Sequence, residues 1–227
     1  MMLNSEIWVR PAPDPGHAEL WWFRLPAAVK RSGALARSRW AWTQVRRRLA
    51  EYAGLAEHEL QIRRSANGKP QAPQLDLAFS LSHDDEAAVL AVAAVEQLGV
   101  DLIGDRPFAN PQGLARKLYG DLEYACWSRS APAQQLQQLR TRFCCTEAVV
   151  KALDWRLWPA LGAIHFLRQG QLARVPIKRA QLHLIDGRRG PLSYALASES
   201  PLAAVIHRDP AASGPRVPAG RSRSVPR

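Results

Sequence analysis

The sequence predicts an α+β fold in two halves of similar plan, each combining short strands with one long helix. Three observations point there. Apolar residues recur at helical spacing in two separate segments, within 30–50 and within 134–153. Between and after them lie short apolar runs of strand length, joined by polar turns. The 227 residues are 47% hydrophobic, enough for one domain or two small ones with a real core.

The elements follow in order. Residues 6–10 read as a first strand, PAPDPG as a loop and LWWFRL as a second strand. Residues 30–50 carry seven basic residues and no acid, with Trp42, Val45, Leu49 and Tyr52 on one helical stripe and Gly54 placed as a C-terminal cap. Arg39, Arg46 and Arg47 lie on the opposite side, the ordinary signature of a solvated basic face. NGKPQAP is turn chemistry. Residues 79–82, 87–95 and 98–103 read as three strands linked by HDDE and EQ, and DRPFANP as a linker. Helices are expected over 111–123 and 134–153, the second with Leu136, Leu139, Phe143, Val150 and Leu153 as its apolar positions. Strands follow over 164–168, 181–185, and 193–197 or 203–207. This divides the chain into an N-terminal subdomain over 1–104, a C-terminal subdomain over 105–207 and a Pro/Ala/Ser/Gly/Arg-rich tail over 208–227 expected to be disordered.

Charge narrows the partners without naming one. The chain holds 31 Lys+Arg against 20 Asp+Glu, a formal +11, of which the tail, with five arginines and one aspartate, supplies +4. Such a surface attracts polyanions: nucleic acid, phosphate-rich cofactors or an acidic protein. Cys126, Cys144 and Cys145 have no CxxC or histidine spacing for a metal, and sequence neighbours rarely pair, so reduced thiols are expected. MMLNSEIWVR lacks the basic and apolar regions of a signal peptide, and the longest apolar stretch, 87–95, falls far short of a membrane span. A cytoplasmic protein with no membrane contact is the expectation.

Three islands carry chemistry: NGKP with FSLSHDD, then LGVDLIGDRP, then RFCCTEAVVKAL. Asp101 ends an apolar strand, where side chains emerge at loops. Glu147 and Lys151 are four apart and share a helix face, an arrangement that also fits a plain surface ion pair. His83 beside two aspartates fits a turn histidine equally well.

Taken together, the islands resemble the 4′-phosphopantetheinyl transferase superfamily, in its larger, monomeric, broad-specificity (surfactin-synthetase-activating) branch. That branch carries G-K-P, F-N-x-S-H-S, G-V/I-D-I-E and W-x-x-K-E-A-x-x-K. Here they stand as Gly68-Lys69-Pro70, Phe79-Ser80-Leu81-Ser82-His83-Asp84, Gly99-Val100-Asp101-Leu102-Ile103 and a run from Phe143 through Glu147 to Lys151. Arg39, thirty positions before Lys69, matches an arginine of the first long helix. The resemblance spans 35–205, with order and spacing kept.

The resemblance implies a pseudo-twofold pair of subdomains, each a small, mostly antiparallel sheet with a long helix, and a site in the cleft between them. It implies Mg²⁺-dependent transfer of the phosphopantetheine arm of coenzyme A onto a serine of an acidic apo acyl or peptidyl carrier protein, releasing 3′,5′-ADP. Asp101 and Glu147 would be metal ligands, with Glu147 also taking the serine proton. Lys151 and His83 would serve the pyrophosphate, with Ser82 beside them, while Lys69 and Pro70 would line the adenine end. Arg39 would hold the 3′-phosphate, a task suited to the guanidinium fork.

Three positions depart from the pattern. Ile103 stands where the branch has a second acid, Thr146 where it has a lysine, and Phe143 where it has tryptophan. In members with an apolar residue at the second-acid position, an amide after the histidine supplies the ligand oxygen. Asp84 holds that place here, giving Asp84, Asp101 and Glu147 as the expected metal triad; the other reading leaves Asp84 as a turn cap. Two further functions stay open: a decayed member that binds coenzyme A or carrier without transfer, and a basic nucleic-acid-binding protein. The second ranks lower, because the aromatic residues are not interleaved with the basic ones as a stacking platform needs.

Overall fold

In a computed structural model, residues 8–167, 171–210 and 217–218 are described. The chain opens with β1 (Trp8–Val9), β2 (His17–Arg24), the single turn α1 (Ala27–Lys30) and the 20-residue α2 (Ala34–Ala53). A small hairpin follows, β3 (Arg63–Arg64) and β4 (Pro70–Gln71), then β5 (Ala78–His83), β6 (Ala87–Ala93) and β7 (Leu98–Ile103). Next come α3 (Pro111–Leu118), α4 (Asp121–Ser128), the 21-residue α5 (Pro132–Ala152) and α6 (Leu157–Ala160). The chain continues through β8 (His165–Leu167), β9 (Leu172–Val175), a 3-10 turn (Pro176–Lys178), β10 (Ala180–Arg189), β11 (Leu192–Ser198), β12 (Ala204–Arg208) and β13 (Val217–Pro218).

This is the expected α+β class. One sheet has the order β12-β2-β6-β5, with β12 parallel to β2 and the other pairs antiparallel. The second, β7-β11-β10-β9-β8, is antiparallel throughout. The two meet through a shared core of Leu20, Trp22, Val89, Ala91, Val100 and Leu196. The opposite face of the first sheet, with Trp21, Phe23 and Leu90, takes Val45 and Leu49 of α2. That of the second, with Leu182, Leu184 and Ala195, takes Ala148 and Val149 of α5. Strands covered on both faces need no polar alternation, so β6 and the centre of β2 read as unbroken apolar runs.

The halves exchange strands across residue 104. β7 precedes that point yet belongs to the second sheet, and β12 follows it yet joins the first. β12 is held there by Arg208, whose guanidinium donates to the buried Glu19 at 2.8 Å; Tyr52 donates to the same carboxylate. Of the tail expected from 208 onward, Arg208 closes β12, Asp209 pairs with Arg189 at 2.9 Å and Val217–Pro218 lies along β1. Residues 211–216 and 219–227, like residues 1–7, which include the first two of the expected strand 6–10, lie outside the described residues.

Local differences have local causes. The helix expected over 111–123 is two helices, because Gly120 adopts an extended conformation and starts α4 with Asp121 and Glu123 in its first turn. α5 begins two residues earlier than the periodicity suggests, with proline in its first turn, where the missing N–H costs nothing. Gly54 ends α2 at φ 63, its N–H on the Ala50 carbonyl, as expected. Both 193–197 and 203–207 contain strands, and β9 is an addition. All three cysteines are free: Cys144 and Cys145 are buried and Cys126 is exposed. No helix among the described residues is long and apolar enough to cross a membrane.

Candidate active site

The site grows from the place where the edges of the two sheets touch. Ser80 on β5 accepts the Val100 N–H of β7 at 3.0 Å, and Ser82 donates to Asp101 Oδ1 at 2.8 Å. Above them α5 lies directly on β7. A Cβ at Gly99 would stand 1.9 Å from the Ala148 carbonyl oxygen and 2.5 Å from the Ala152 nitrogen, so this approach requires glycine. The close contact lowers the last turns of α5 onto the junction. Lys151 Nζ then reaches Asp101 Oδ1 at 2.7 Å, the Val100 carbonyl at 3.1 Å and the Leu81 carbonyl at 3.4 Å. One ammonium thus joins helix, β5 and β7, and Lys151 pairs with Asp101 across the fold rather than with Glu147 along the helix.

Beside this junction lies a cleft of about 380 Å³, walled by the β3–β4 turn, β5 and the end of α5. Glu147, Lys151, His83, Lys69 and Pro70 line it. Burial pushes the Glu147 carboxyl up, the Asp101 charge adds to the shift, and Lys151 partly offsets it. Burial also pushes the His83 imidazole down, helped by Lys151 and Arg37 and opposed by Asp84 and Asp85. His83 is therefore neutral at pH 7, with one ring N–H to donate. Lys69 is pushed down by burial and opposed by Asp154; its Nζ donates to the Ala152 carbonyl at the end of α5, at 2.9 Å.

The other expected residues lie apart from these. Ser82 and Asp101 are buried beneath Lys151 rather than in the cleft wall. Asp84 Oδ1 accepts the N–H groups of Glu86 at 2.7 Å and Ala87 at 3.0 Å, capping the β5–β6 turn. Its Oδ2 faces Gly104, where a Cβ would come within 2.6 Å. Among the described residues no three His, Cys, Asp or Glu side chains form a metal-holding group, so Asp84 is not gathered with Asp101 and Glu147. Ile103 is only 4% exposed and packs in the core beneath α5. Thr146 is buried and donates back to the Arg142 carbonyl. Arg39 is exposed on α2 and outside the cleft wall.

The structure adds cleft residues that the motif reading passed over. Arg64 lines the cleft with its guanidinium 5.5 Å from the Trp42 ring, and donates to the Gly68 carbonyl at 2.8 Å. Trp42 lies on the apolar stripe of α2, where helical spacing alone does not separate core from wall. Asp154 and Trp155, just past α5, complete the wall. The donor set fits a hard divalent cation: two carboxylates, Asp101 and Glu147, lie close enough for one charge to raise the other's proton affinity, and a cation relieves that repulsion.

No family model matches the chain. It is similar to the 4′-phosphopantetheinyl transferase HetI of Nostoc sp., 32% identical over 139 residues, which cover 59% of this chain and 55% of that protein. It is also similar to the 4′-phosphopantetheinyl transferase AcpT of Escherichia coli, 33% identical over 92 residues, covering 40% of this chain and 47% of that protein. The chain thus spans about half the length of the curated relatives it matches.

Proposed function

We propose that the chain is a 4′-phosphopantetheinyl transferase, moving the phosphopantetheine arm of coenzyme A onto a serine of an acidic apo acyl or peptidyl carrier protein and releasing 3′,5′-ADP. The observation that carries the reading is the junction of Lys151, Asp101 and Glu147 at a cleft that His83 also lines. Similarity to two transferases of that name supports it.

Each side chain has a task in this reading. Glu147, on the cleft wall, accepts the proton of the incoming serine hydroxyl, directly or through water. Lys151 is fixed by two carbonyls and Asp101, and sets its positive charge where the pyrophosphate lies. Neutral His83 donates its N–H to a pyrophosphate oxygen. Ser82 holds Asp101. Lys69 and Pro70 line the adenine end, and a guanidinium, Arg39 by motif spacing or Arg64 by its place in the cleft, holds the 3′-phosphate. Asp101 and Glu147 are the residues that would hold Mg²⁺, which when bound neutralises phosphate charge in phosphoryl transfer. The basic body, about +7 without the tail (+11 less +4), steers an acidic carrier. We further propose that it acts as a monomer in the cytoplasm, in the broad-specificity branch.

Ile103 favours a second reading, a coenzyme A-binding protein that no longer transfers, because an apolar core residue stands where the branch has its second acid. Incubation with coenzyme A, Mg²⁺ and a panel of apo carriers, read by intact mass and by 3′,5′-ADP release, decides between them. A mass gain of one phosphopantetheine on a carrier is expected. Coenzyme A binding without product would overturn the transferase reading.

A further inference from the structure

The end of α5 is held by a segment from the other half of the chain. The helix closes in a Schellman arrangement, the Trp155 N–H on the Val150 carbonyl at 2.9 Å and the Asp154 N–H on the Lys151 carbonyl at 3.4 Å. The residue that turns left-handed there is normally glycine, yet here it is Asp154 at φ 48. Its side chain does what glycine cannot. Ser65 Oγ donates to Asp154 Oδ1 at 2.8 Å, while Asn67 Nδ2 donates to the Asp154 backbone carbonyl at 2.8 Å, a bond that any residue there accepts. Lys69 Nζ takes the Ala152 carbonyl, one of the helix's orphan acceptors, and the Lys69 N–H returns to Ser65 Oγ at 3.0 Å. Ser65 is therefore both donor to the helix end and acceptor within its own turn.

We infer that Asp154 is a positioning residue: by holding Ser65 across the cleft it sets the register of α5, and with it Glu147 and Lys151, against the β3–β4 turn and β5. The inference rests on the transferase reading. Lys151 is three residues, less than one helical turn, before Asp154, so a shift at the helix end is transmitted to the ammonium nearly undiminished. A misplacement of about 1 Å at a reacting group costs up to about a hundredfold in rate. An aspartate at φ 48, where glycine is the unstrained residue, is what this task requires.

The test compares Asp154→Gly, Asp154→Asn and Ser65→Ala. Glycine frees the backbone and removes the tie; asparagine loses the same charge but keeps an oxygen to accept from Ser65 and tolerates the left-handed turn. If Asp154 were only a helix cap, glycine would keep both stability and rate. The positioning role predicts that Asp154→Gly and Ser65→Ala melt within a few degrees of wild type yet lose about tenfold or more in kcat, with the coenzyme A KM little changed. Asp154→Asn should restore most of the rate, and the Gly and Ala changes should be non-additive. Both variants within twofold of wild-type kcat, in a wild type that transfers, overturns the positioning role alone. A wild type that transfers nothing overturns the functional reading instead. The tie is then read from hydrogen exchange at the 151–155 amides, which is faster in both variants if it holds the helix end and unchanged if it does not.

Discussion

Gly99 and Ala148 touch backbone to backbone: a methyl group on Gly99 would stand 1.9 Å from the Ala148 carbonyl oxygen. Lys151, one turn on, reaches Asp101 because of this contact. Gly99→Ala therefore should lift α5 off β7, costing about 1–3 kcal/mol by overpacking. For a chain of this size that is roughly a 2–12 °C fall in Tm. Transfer should fall further than the loss of folded protein explains. Thermal melts and single-turnover rates on the folded fraction check this; a variant with wild-type Tm and rate contradicts the close approach.

Glu147→Gln should abolish transfer, leaving less than a few per cent, while keeping the fold. Burial and Asp101 raise its folded proton affinity above the unfolded value, so the folded chain binds this proton more tightly. Below the unfolded value, about pH 4.3, the group carries no penalty; the penalty grows as pH rises and is complete above the folded value. In chelator, the stability of Glu147→Gln relative to wild type should accordingly increase from about pH 4 toward neutrality. Urea titrations at several pH values read it. A stability difference that stays flat over that range would remove the raised proton affinity of Glu147.

Arg39 and Arg64 make opposite predictions. The guanidinium that binds the 3′-phosphate should, when replaced by alanine, weaken coenzyme A and spare 3′-dephospho-coenzyme A. The lost charged hydrogen bond is worth about 1.5–3 kcal/mol, roughly ten- to a hundredfold. Arg64 lines the cleft and Arg39 does not, so the selective loss is expected in Arg64→Ala. A selective loss in Arg39→Ala alone would require α2 to close over the bound nucleotide.

Asp84 is anchored through Oδ1 to the Glu86 and Ala87 N–H groups. Asp84→Asn keeps an oxygen there and should leave Tm unchanged, whereas Asp84→Ala should lose about 1–2 kcal/mol with the turn cap. The Mg²⁺ requirement of Asp84→Asn should match wild type. A steep rise, rescued by adding Ile103→Glu, would instead make the outer oxygen a metal ligand.

The long helices, the central strands and the three motif islands were legible because their signals are local. The apolar stripe of Val45 and Leu49, the strand run of β6 and the glycine after α2 each depend on spacing within a few residues. The spacing of Gly99, Asp101, Glu147 and Lys151 likewise located the junction. The sequence thus determined which segments are helix or strand and which residue types carry charge near the cleft. Tertiary structure decided the exchange of β7 and β12, the partner of Lys151, the hydrogen bonds of Asp84 in its turn, the burial of Ile103, the place of Arg64 in the cleft wall, and the tie at Asp154. These depend on which edges the shared core brings within a few ångströms. Glu147 and Lys151 share a helix face in any fold; only the packing of α5 on Gly99 places Asp101 nearer to that ammonium.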